Sequence, residues 1–261
     1  MILAVDIGNS NICIGGLAGE GHRDVLFTTR MVTRARCTAD EYAAELKFLL
    51  GRLQVDCKKC DGVIVCSVVP SLTTPLADAC LRLTGKEALI VSHTLHTGLT
   101  FRVDEPGRVG RDRIADAVAA AALYPLPCMT VDLGTATTYN VLSAQREFLG
   151  GFIVPGVQTS LRAISVGTAQ LPPIAPEPPS DLIGRNTVEA LNNGAMFGTA
   201  AMLDGLAERV QAQLGAPLTV VATGGLAPYI TPCCRFKVIY DADLLFKGLA
   251  LLWELNHDVC C

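Results

Sequence analysis

The chain has 261 residues, of which half are hydrophobic and 18% are charged, and its net charge is −4. This composition excludes a disordered chain and supplies enough apolar material for one large or two modest domains. The acidic balance predicts no nucleic-acid partner, and no apolar run approaches the roughly 18 residues that cross a bilayer, so we expect no membrane association. Because Met1 leads into an apolar run without a basic stretch, we expect a cytoplasmic protein with no cleaved signal.

Two β-hairpins with similar polar tips are predicted, one at the start of the chain and one near its middle. In the first, 5–10 (VDIGNS), an apolar strand reaches an aspartate, turns at glycine and continues as a second apolar strand. The second hairpin has the same pattern at 131–136 (VDLGTA). Because the motifs lie about half a chain apart, the repeat predicts two similar lobes, 1–125 and 126–261.

Helical patterns lie between the predicted strands. Thr38 and Glu41 have the spacing of a capping box, which predicts a helix that begins there and reaches about Leu53. The spacing of apolar residues predicts three more helices, at 112–123, 194–214 and 243–256. The stretch 171–179 carries five prolines and is predicted to be an extended loop. Strands that alternate with helices indicate an α/β fold.

The eleven cysteines do not form the paired pattern of a disulfide framework. Cys57 and Cys60 have the spacing of half a metal site, but no second pair follows, so we interpret them as exposed thiols in a turn. The tail residues Cys260 and Cys261 are expected to be oxidisable. Four cysteines in apolar runs are predicted to be reduced core residues: Cys13, Cys66, Cys80 and Cys128.

The repeated hairpin tip has a chemistry that suits phosphate. Glycine allows the backbone to approach a ligand closely, and neighbouring N–H groups and small polar side chains bind anionic oxygens. Asp6 precedes the first turn and has the charge and hardness to hold Mg²⁺, directly or through water or phosphate. An ordinary tight turn is the alternative interpretation, and the duplication argues against it.

Six segments follow one another in the chain: 6–11 (DIGNSN), 110–113 (GRDR), 132–138 (DLGTATT), 150–156 (GGFIVPG), 184–187 (GRNT) and 222–225 (ATGG). In this order they resemble the motifs of the type III pantothenate kinases, a family within the acetate kinase, sugar kinase and actin superfamily. The resemblance spans essentially the whole chain, with Ser10 where the family usually has threonine. It implies two similar ribonuclease-H-like lobes of mixed sheet flanked by helices, with the ATP cleft between them.

The resemblance also implies the reaction and its site. The expected activity is ATP-dependent phosphorylation of the primary hydroxyl of pantothenate, with Mg²⁺ and a monovalent cation, K⁺ or NH₄⁺, as cofactors. The cation would be held by Asp132. The implied ATP-binding residues are Asp6, Ile7, Gly8, Asn9, Ser10, Asn11 and Thr135. The implied pantothenate-binding residues are Val103, Gly110, Arg111, Asp112, Arg113 and Thr187, the last supplied across the interface of a homodimer.

Asp112 is the candidate general base that accepts the hydroxyl proton. Its position at a predicted helix N-terminus also suits an N-cap, and the helix dipole there predicts an ionised carboxylate at neutral pH. The other guanidinium groups nearby, on Arg102 and Arg108, are expected to be salt-bridged surface residues.

Three positions depart from the family pattern: Arg111 replaces alanine, Asp116 replaces asparagine and Val103 replaces tyrosine. Two other functions therefore stay open. One is a non-catalytic relative that acts as a regulator or binding module. The other is an ATPase activator that carries an iron–sulfur cluster on Cys128 or another thiol.

Overall fold

The computed structural model describes residues 1–18 and 24–257 and contains two β-sheets with flanking helices. The strands are β1 (Ile2–Ile7), β2 (Asn11–Ala18), β3 (Asp24–Val32), β4 (Gly62–Ser67), β5 (Ala88–Ile90), β6 (Thr100–Phe101), β7 (Cys128–Leu133), β8 (Ala136–Leu142), β9 (Glu147–Pro155), β10 (Thr219–Thr223) and β11 (Val238–Tyr240). The helices are α1 (Ala39–Arg52), α2 (Pro70–Thr84), α3 (Arg111–Leu123), α4 (Val157–Gly167), α5 (Thr187–Leu214), α6 (Ala227–Ile230) and α7 (Leu244–His257). Within these described ranges, no helix has both the length and the hydropathy needed to cross a membrane.

The two sheets have the same topology. The first sheet has the order β3-β2-β1-β4-β5, in which β1, β2 and β3 are antiparallel neighbours and β4 and β5 continue parallel to β1. The second has the equivalent order β9-β8-β7-β10-β11, with the same strand directions, and adds β6 beside β9. This confirms the predicted duplication and the α/β fold of two mixed sheets.

The chain divides into two compact units, each assembled from separated segments. The first unit comprises Met1–Gly98, Asp104–Ala119 and the segment that begins at Asp243. The second comprises Leu99–Val103 and Ala120–Ala242. The single boundary at 125/126 expected from the sequence stays a prediction, and these units do not follow it.

Helix α7 packs on the sheet of the first unit although it lies at the C-terminal end of the chain. A Cβ added at Gly62 of β4 would lie 2.0 Å from the Trp253 ring, and one added at Gly15 of β2 would lie 2.7 Å from the Phe246 ring. The glycines therefore let the aromatic side chains of α7 lie directly on the strands. Such close packing over distant parts of the chain leaves no local signal in the sequence.

The predicted local signals hold with small changes of boundary. The Thr38 hydroxyl accepts a hydrogen bond from the Glu41 N–H at 3.3 Å, and the Glu41 carboxylate accepts one from the Thr38 N–H at 2.8 Å, which confirms the capping box. Helix α5 begins at Thr187 rather than 194 because the Asn186 side chain caps it. The proline-rich stretch 171–179 contains neither helix nor strand, as predicted.

Of the nine described cysteines, four are buried and five are half-buried, and no disulfide joins them. Cys66, Cys80 and Cys128 are fully buried, as predicted, and Cys13 is half-buried. Cys60 is 2% exposed, so the prediction of an exposed thiol is wrong at this position, because the turn packs against the core of the first unit. Cys260 and Cys261 lie outside the described residues.

Candidate active site

The first hairpin tip is a tight turn that Thr33 stabilises through two hydrogen bonds. The Gly8 N–H donates to the Asn11 carbonyl at 3.0 Å, which closes the turn between β1 and β2. The Thr33 hydroxyl donates to the Gly8 carbonyl at 2.7 Å, and its N–H donates to the Ser10 carbonyl at 3.1 Å. Asn9, Ser10 and Asn11 are exposed at the tip. The turn therefore presents three small polar residues to a ligand on a fixed backbone.

Asp6 lies near the end of β1, next to Cys66 of β4 in the parallel register. Because side chains alternate along strands, both residues share the sheet face on which Gly62 meets α7. Burial raises the pKa of the Cys66 thiol well above its ordinary value, and the negative charges of Asp6, Asp112 and Asp116 raise it further. The buried Cys66 thiol therefore stays protonated in the field of these three carboxylates of the first unit.

Asp112 lies in the first turn of α3, where its carboxylate is half-buried and folded back on the helix end. Its Oδ1 accepts a hydrogen bond from the Arg113 N–H at 2.8 Å. A Cβ added at Gly110 would lie 2.5 Å from the same oxygen, so only glycine leaves that space open. The GRDR segment thus positions the candidate base through the missing side chain at its first position.

Burial raises the pKa of the Asp112 carboxyl, although the Arg113 N–H and guanidinium lower it. Burial therefore opposes the effect of the helix end on this pKa, and an ionised carboxylate at neutral pH stays a prediction. The helix dipole and one N–H bond are weaker here than the loss of solvent around the charged form. A carboxylate with a raised pKa binds a proton more strongly, which suits a general base.

The arginines close to Asp112 in the sequence fall into two groups. Arg102 and Arg108 are exposed and pair with Glu147 at 2.8 Å and Glu105 at 2.6 Å, as predicted for surface residues. Arg111 and Arg113 are half-buried at the start of α3. Burial lowers the pKa of Arg113, and the carboxylates of Asp112 and Asp116 oppose that shift. Arg113 therefore carries its guanidinium into the same acidic surroundings as Asp112.

The second hairpin tip places Asp132 near the end of β7, between Thr138 of β8 and Thr223 of β10. Gly224 follows β10 with a φ of 93°, and a Cβ added there would lie 2.6 Å from Asp132 Oδ1. Asp132 is half-buried. The ATGG segment therefore leaves space for one carboxylate oxygen, as Gly110 does at Asp112.

The second tip is held by the start of α4. The Gly156 N–H donates to the Thr135 carbonyl at 3.1 Å, and the Thr159 hydroxyl donates to the same carbonyl at 2.6 Å. A Cβ at Gly156 would lie 2.2 Å from the Gly134 carbonyl oxygen, so the helix end touches the turn directly. Thr33 follows β3 and Gly156 follows β9, which occupy equivalent positions in the two sheets, and both residues fix the hairpin tip. The two tips are thus supported in equivalent ways.

Two predicted substrate contacts lie in the second unit. Val103 follows β6 and lies 3.6 Å from where a Cβ on Gly150 of β9 would stand. Thr187 is the exposed first residue of α5, next to the capping residue Asn186. The local structure at Thr187 is that of a helix start, and its role in substrate binding stays a prediction.

Sequence reasoning missed the residues that support these tips and carboxylates. Cys66 was assigned only to the core, and its pairing with Asp6 follows from the strand register. Thr33 lies far from the glycine motifs, Thr159 lies three residues after the 150–156 segment, and no local pattern marks either residue. The equivalent strand topology of the two sheets is the signal that locates them.

Comparison with known proteins identifies the family. A sequence profile of the type III pantothenate kinases matches residues 2–209. The type III pantothenate kinase of Solibacter usitatus is 38% identical over 257 residues, covering 98% of this chain and 97% of that protein. The type III pantothenate kinase of Dehalococcoides mccartyi strain BAV1 is 40% identical over 255 residues, covering 98% of this chain and 96% of that protein.

Solved structures share the fold at low identity. A conserved protein from Campylobacter jejuni, described as a Baf family transcriptional activator, has a TM-score of 0.61 and 20% identity, covering 98% of this chain and 99% of that one. The ROK hexokinase of Thermus thermophilus has a TM-score of 0.50 and 15% identity, covering 96% and 97%. The structural likeness is to the fold alone, whereas the sequence matches cover 98% of the chain at 38–40% identity. The chain therefore belongs to the type III pantothenate kinase family.

Proposed function

We propose that this chain transfers the γ-phosphoryl group of ATP to the primary hydroxyl of pantothenate, giving 4′-phosphopantothenate in the first step of coenzyme A biosynthesis. One observation carries the proposal. The full-length family match includes a GRDR segment whose aspartate is buried enough to have a raised pKa, beside a glycine that leaves room for its carboxylate.

Asp112 is the general base in this proposal. As the hydroxyl oxygen of pantothenate bonds to the γ-phosphorus, the carboxylate accepts the hydroxyl proton and the bond to the ADP oxygen breaks. Most of the remaining catalysis in phosphoryl transfer is positioning and charge neutralisation. Arg113 supplies a planar fork of N–H donors in the same half-buried surroundings, and it suits the carboxylate of pantothenate.

The hairpin tips are the proposed phosphate sites. At the first, 6–11, small polar residues stand on a turn that Thr33 fixes. At the second, Thr135 is exposed, and the N-terminus of α4 packs directly against the turn. N–H groups at a helix start favour anionic oxygens, so this arrangement supports an ATP contact at Thr135.

Mg²⁺ fits the donor set at Asp6. This ion commonly binds one or two carboxylates and completes its shell with water and substrate phosphates. Among the residues that the structure describes, no three His, Cys, Asp or Glu side chains are grouped to enclose a metal. Asp6 therefore matches a metal that arrives with the nucleotide, and when bound the ion neutralises phosphate charge.

A monovalent cation, K⁺ or NH₄⁺, is proposed at Asp132. Gly224 leaves room for Oδ1 of this half-buried carboxylate, because a Cβ there would lie 2.6 Å from that oxygen. A negatively charged oxygen in a space that this glycine keeps open suits a weakly hydrated cation. The cation would add a further partner for the carboxylate at the second tip.

We also propose a homodimer. The second unit exposes several large apolar side chains, which a partner subunit would shield from water. They are Ile153 (63% exposed), Val166 (80%), Leu182 (68%), Ile183 (78%) and Val188 (49%). Val188 adjoins Thr187, so a partner seated there would bring Thr187 to the interface. Ile183→Asp should yield a monomer in sedimentation analysis, and an unchanged dimer would contradict this surface.

The test of the proposed function is a coupled assay of ADP release with ATP, Mg²⁺, K⁺ and pantothenate. We expect release that depends on pantothenate and a product that carries the phosphate on the primary hydroxyl. ATP binding without pantothenate-dependent ADP release would instead support a regulator or binding module. A brown protein with visible absorption after anaerobic purification would support the iron–sulfur activator.

A further inference from the structure

The segment between α1 and β4 contains two cysteines, Cys57 and Cys60, to which the kinase reaction assigns no role. Cys57 begins a short 3-10 helix, Cys57–Lys59, and Cys60 caps its end. Asp56 fixes the start of this turn, because its carboxylate accepts a hydrogen bond from the Lys58 N–H at 3.1 Å. The turn is therefore a defined structure rather than a loose connection.

The geometry of the turn brings the two cysteines together. The Cys60 N–H donates to the Cys57 carbonyl at 3.2 Å, which closes one 3-10 turn. Residues three apart in such a turn lie one above the other, with a rise of about 6 Å. A disulfide spans Cα separations of about 4.4–6.8 Å. The backbone thus holds the pair at a spacing that a disulfide bridges.

The two side chains also point the same way. Cys60 is 2% exposed and belongs to the apolar core of the first unit, and the half-buried Cys57 packs against that same core. Lys58 and Lys59, between them, are exposed. The two lysines of the turn therefore face solvent, and the two thiols pack against the core of the first unit.

We propose that Cys57 and Cys60 form a dithiol–disulfide site that exchanges with a small-molecule disulfide such as oxidised glutathione. The Cys57 thiolate attacks the glutathione disulfide, which forms a mixed disulfide and releases one glutathione thiolate. The Cys60 thiolate then attacks the Cys57 sulfur, forms the internal disulfide and releases the second glutathione. The protein loses two electrons and two protons, and the glutathione disulfide gains both.

The order of the steps follows from exposure. Cys57 is the sulfur that a dissolved disulfide can reach, and Cys60 resolves from inside. Burial raises the pKa of Cys57, with a smaller opposing effect from Lys58, and raises the pKa of Cys60 to about 11. Because thiolate is the nucleophile, we expect slow exchange at neutral pH, with a rate that rises about tenfold per pH unit below these pKa values.

The experiment uses the reduced full-length chain incubated with oxidised glutathione. Remaining thiols are then blocked with N-ethylmaleimide in denaturant, and the protein is digested with a protease that does not cut after lysine. We expect the peptide that carries both cysteines to be two hydrogens lighter and unlabelled, and to accept two labels after reduction. Two labels without reduction, a mixed disulfide that never closes, or a bond from Cys57 to the buried Cys80 would each overturn the proposal.

Single variants test the order of attack. In Cys60→Ser, glutathione should stay attached to Cys57, whereas in Cys57→Ser no glutathione should be found on Cys60. Cys37→Ser, which changes another half-buried cysteine, is the matched control and should oxidise like the wild type. Should a variant fail to fold, the wild-type peptide mass still decides. Kinase activity is not measured, so the outcome is independent of the proposed function.

Discussion

A Cβ on Gly110 would lie 2.5 Å from Asp112 Oδ1. Any side chain at position 110 would therefore displace the carboxylate of the candidate base. Contacts this short are not tolerated, and either the carboxylate or the start of α3 must move. Substitution of Gly110 therefore tests whether catalysis depends on the position of the Asp112 carboxylate.

Gly110→Ala should therefore lower kcat by about tenfold to a hundredfold, the effect of misplacing a catalytic group by about 1 Å. The measurement is steady-state ADP release with saturating pantothenate. Gly51→Ala is the matched control, because a Cβ at that helical position meets nothing within 4 Å. A kcat unchanged in Gly110→Ala would show that the carboxylate need not stay where the structure has it.

Asp112→Asn removes the proton acceptor while keeping the size and the acceptor oxygen of the side chain. We expect kcat to fall by about 10²–10⁴-fold, the usual contribution of a general base, with the fold and the proposed dimer retained. Single-turnover kinetics and circular dichroism together check this result. Near-normal turnover in the variant would remove Asp112 as the base.

The raised pKa of Asp112 also predicts pH effects of a definite sign. Burial favours the protonated form of Asp112, so its pKa is higher in the folded state than in the unfolded state, where it is near 3.8. The contribution of the protonated form to stability is therefore complete below pH 3.8 and is lost as the pH rises through the pKa of the folded state. Asp112→Asn should thus be at least as stable as the wild type at neutral pH. In urea unfolding, that advantage should vanish in acid; an advantage that grows in acid would contradict the sign. In the wild type, kcat/KM should fall as the pH is lowered, and the midpoint of that fall should lie above pH 3.8.

Gly224→Ala tests the proposed cation at Asp132. The new Cβ would lie 2.6 Å from Asp132 Oδ1, at a residue whose φ of 93° already disfavours a side chain. We expect the K⁺ concentration for half-maximal activity to rise about tenfold, which corresponds to about 1.4 kcal/mol. Gly225→Ala, with nothing within 4 Å of its Cβ, should behave like the wild type. Equal K⁺ dependence in both variants would argue against Asp132.

Thr159→Val tests whether a fixed second tip matters for ATP. The variant loses the hydrogen bond from the Thr159 hydroxyl to the Thr135 carbonyl, 2.6 Å long, which is worth about 1 kcal/mol. We expect the KM for ATP to rise about fivefold with a smaller change in the KM for pantothenate. Thr168→Val removes a similar bond, to the Ile164 carbonyl at the far end of α4, and serves as the control. Equal effects on both substrates would indicate general destabilisation.

Much of the fold was predictable because its signals are local. The capping box at Thr38 and Glu41 and the five prolines of 171–179 act over a few residues, so each is visible in the sequence. The Asp-x-Gly repeat predicted the duplication for a different reason. Both tips need a glycine turn after a carboxylate, and the two sheets repeat the strands that carry them.

The sequence by itself determined which residue types stand at each tip and at the start of α3, and through them the family. Only the tertiary structure decided their chemical state. Burial raised the pKa of Asp112, and strand register placed Cys66 beside Asp6. Packing drew Cys60 into the core and seated α7 on a sheet formed mostly from the other end of the chain. Solvent exclusion and packing depend on residues distant in sequence, and they outweigh the local preferences of helix ends and turns.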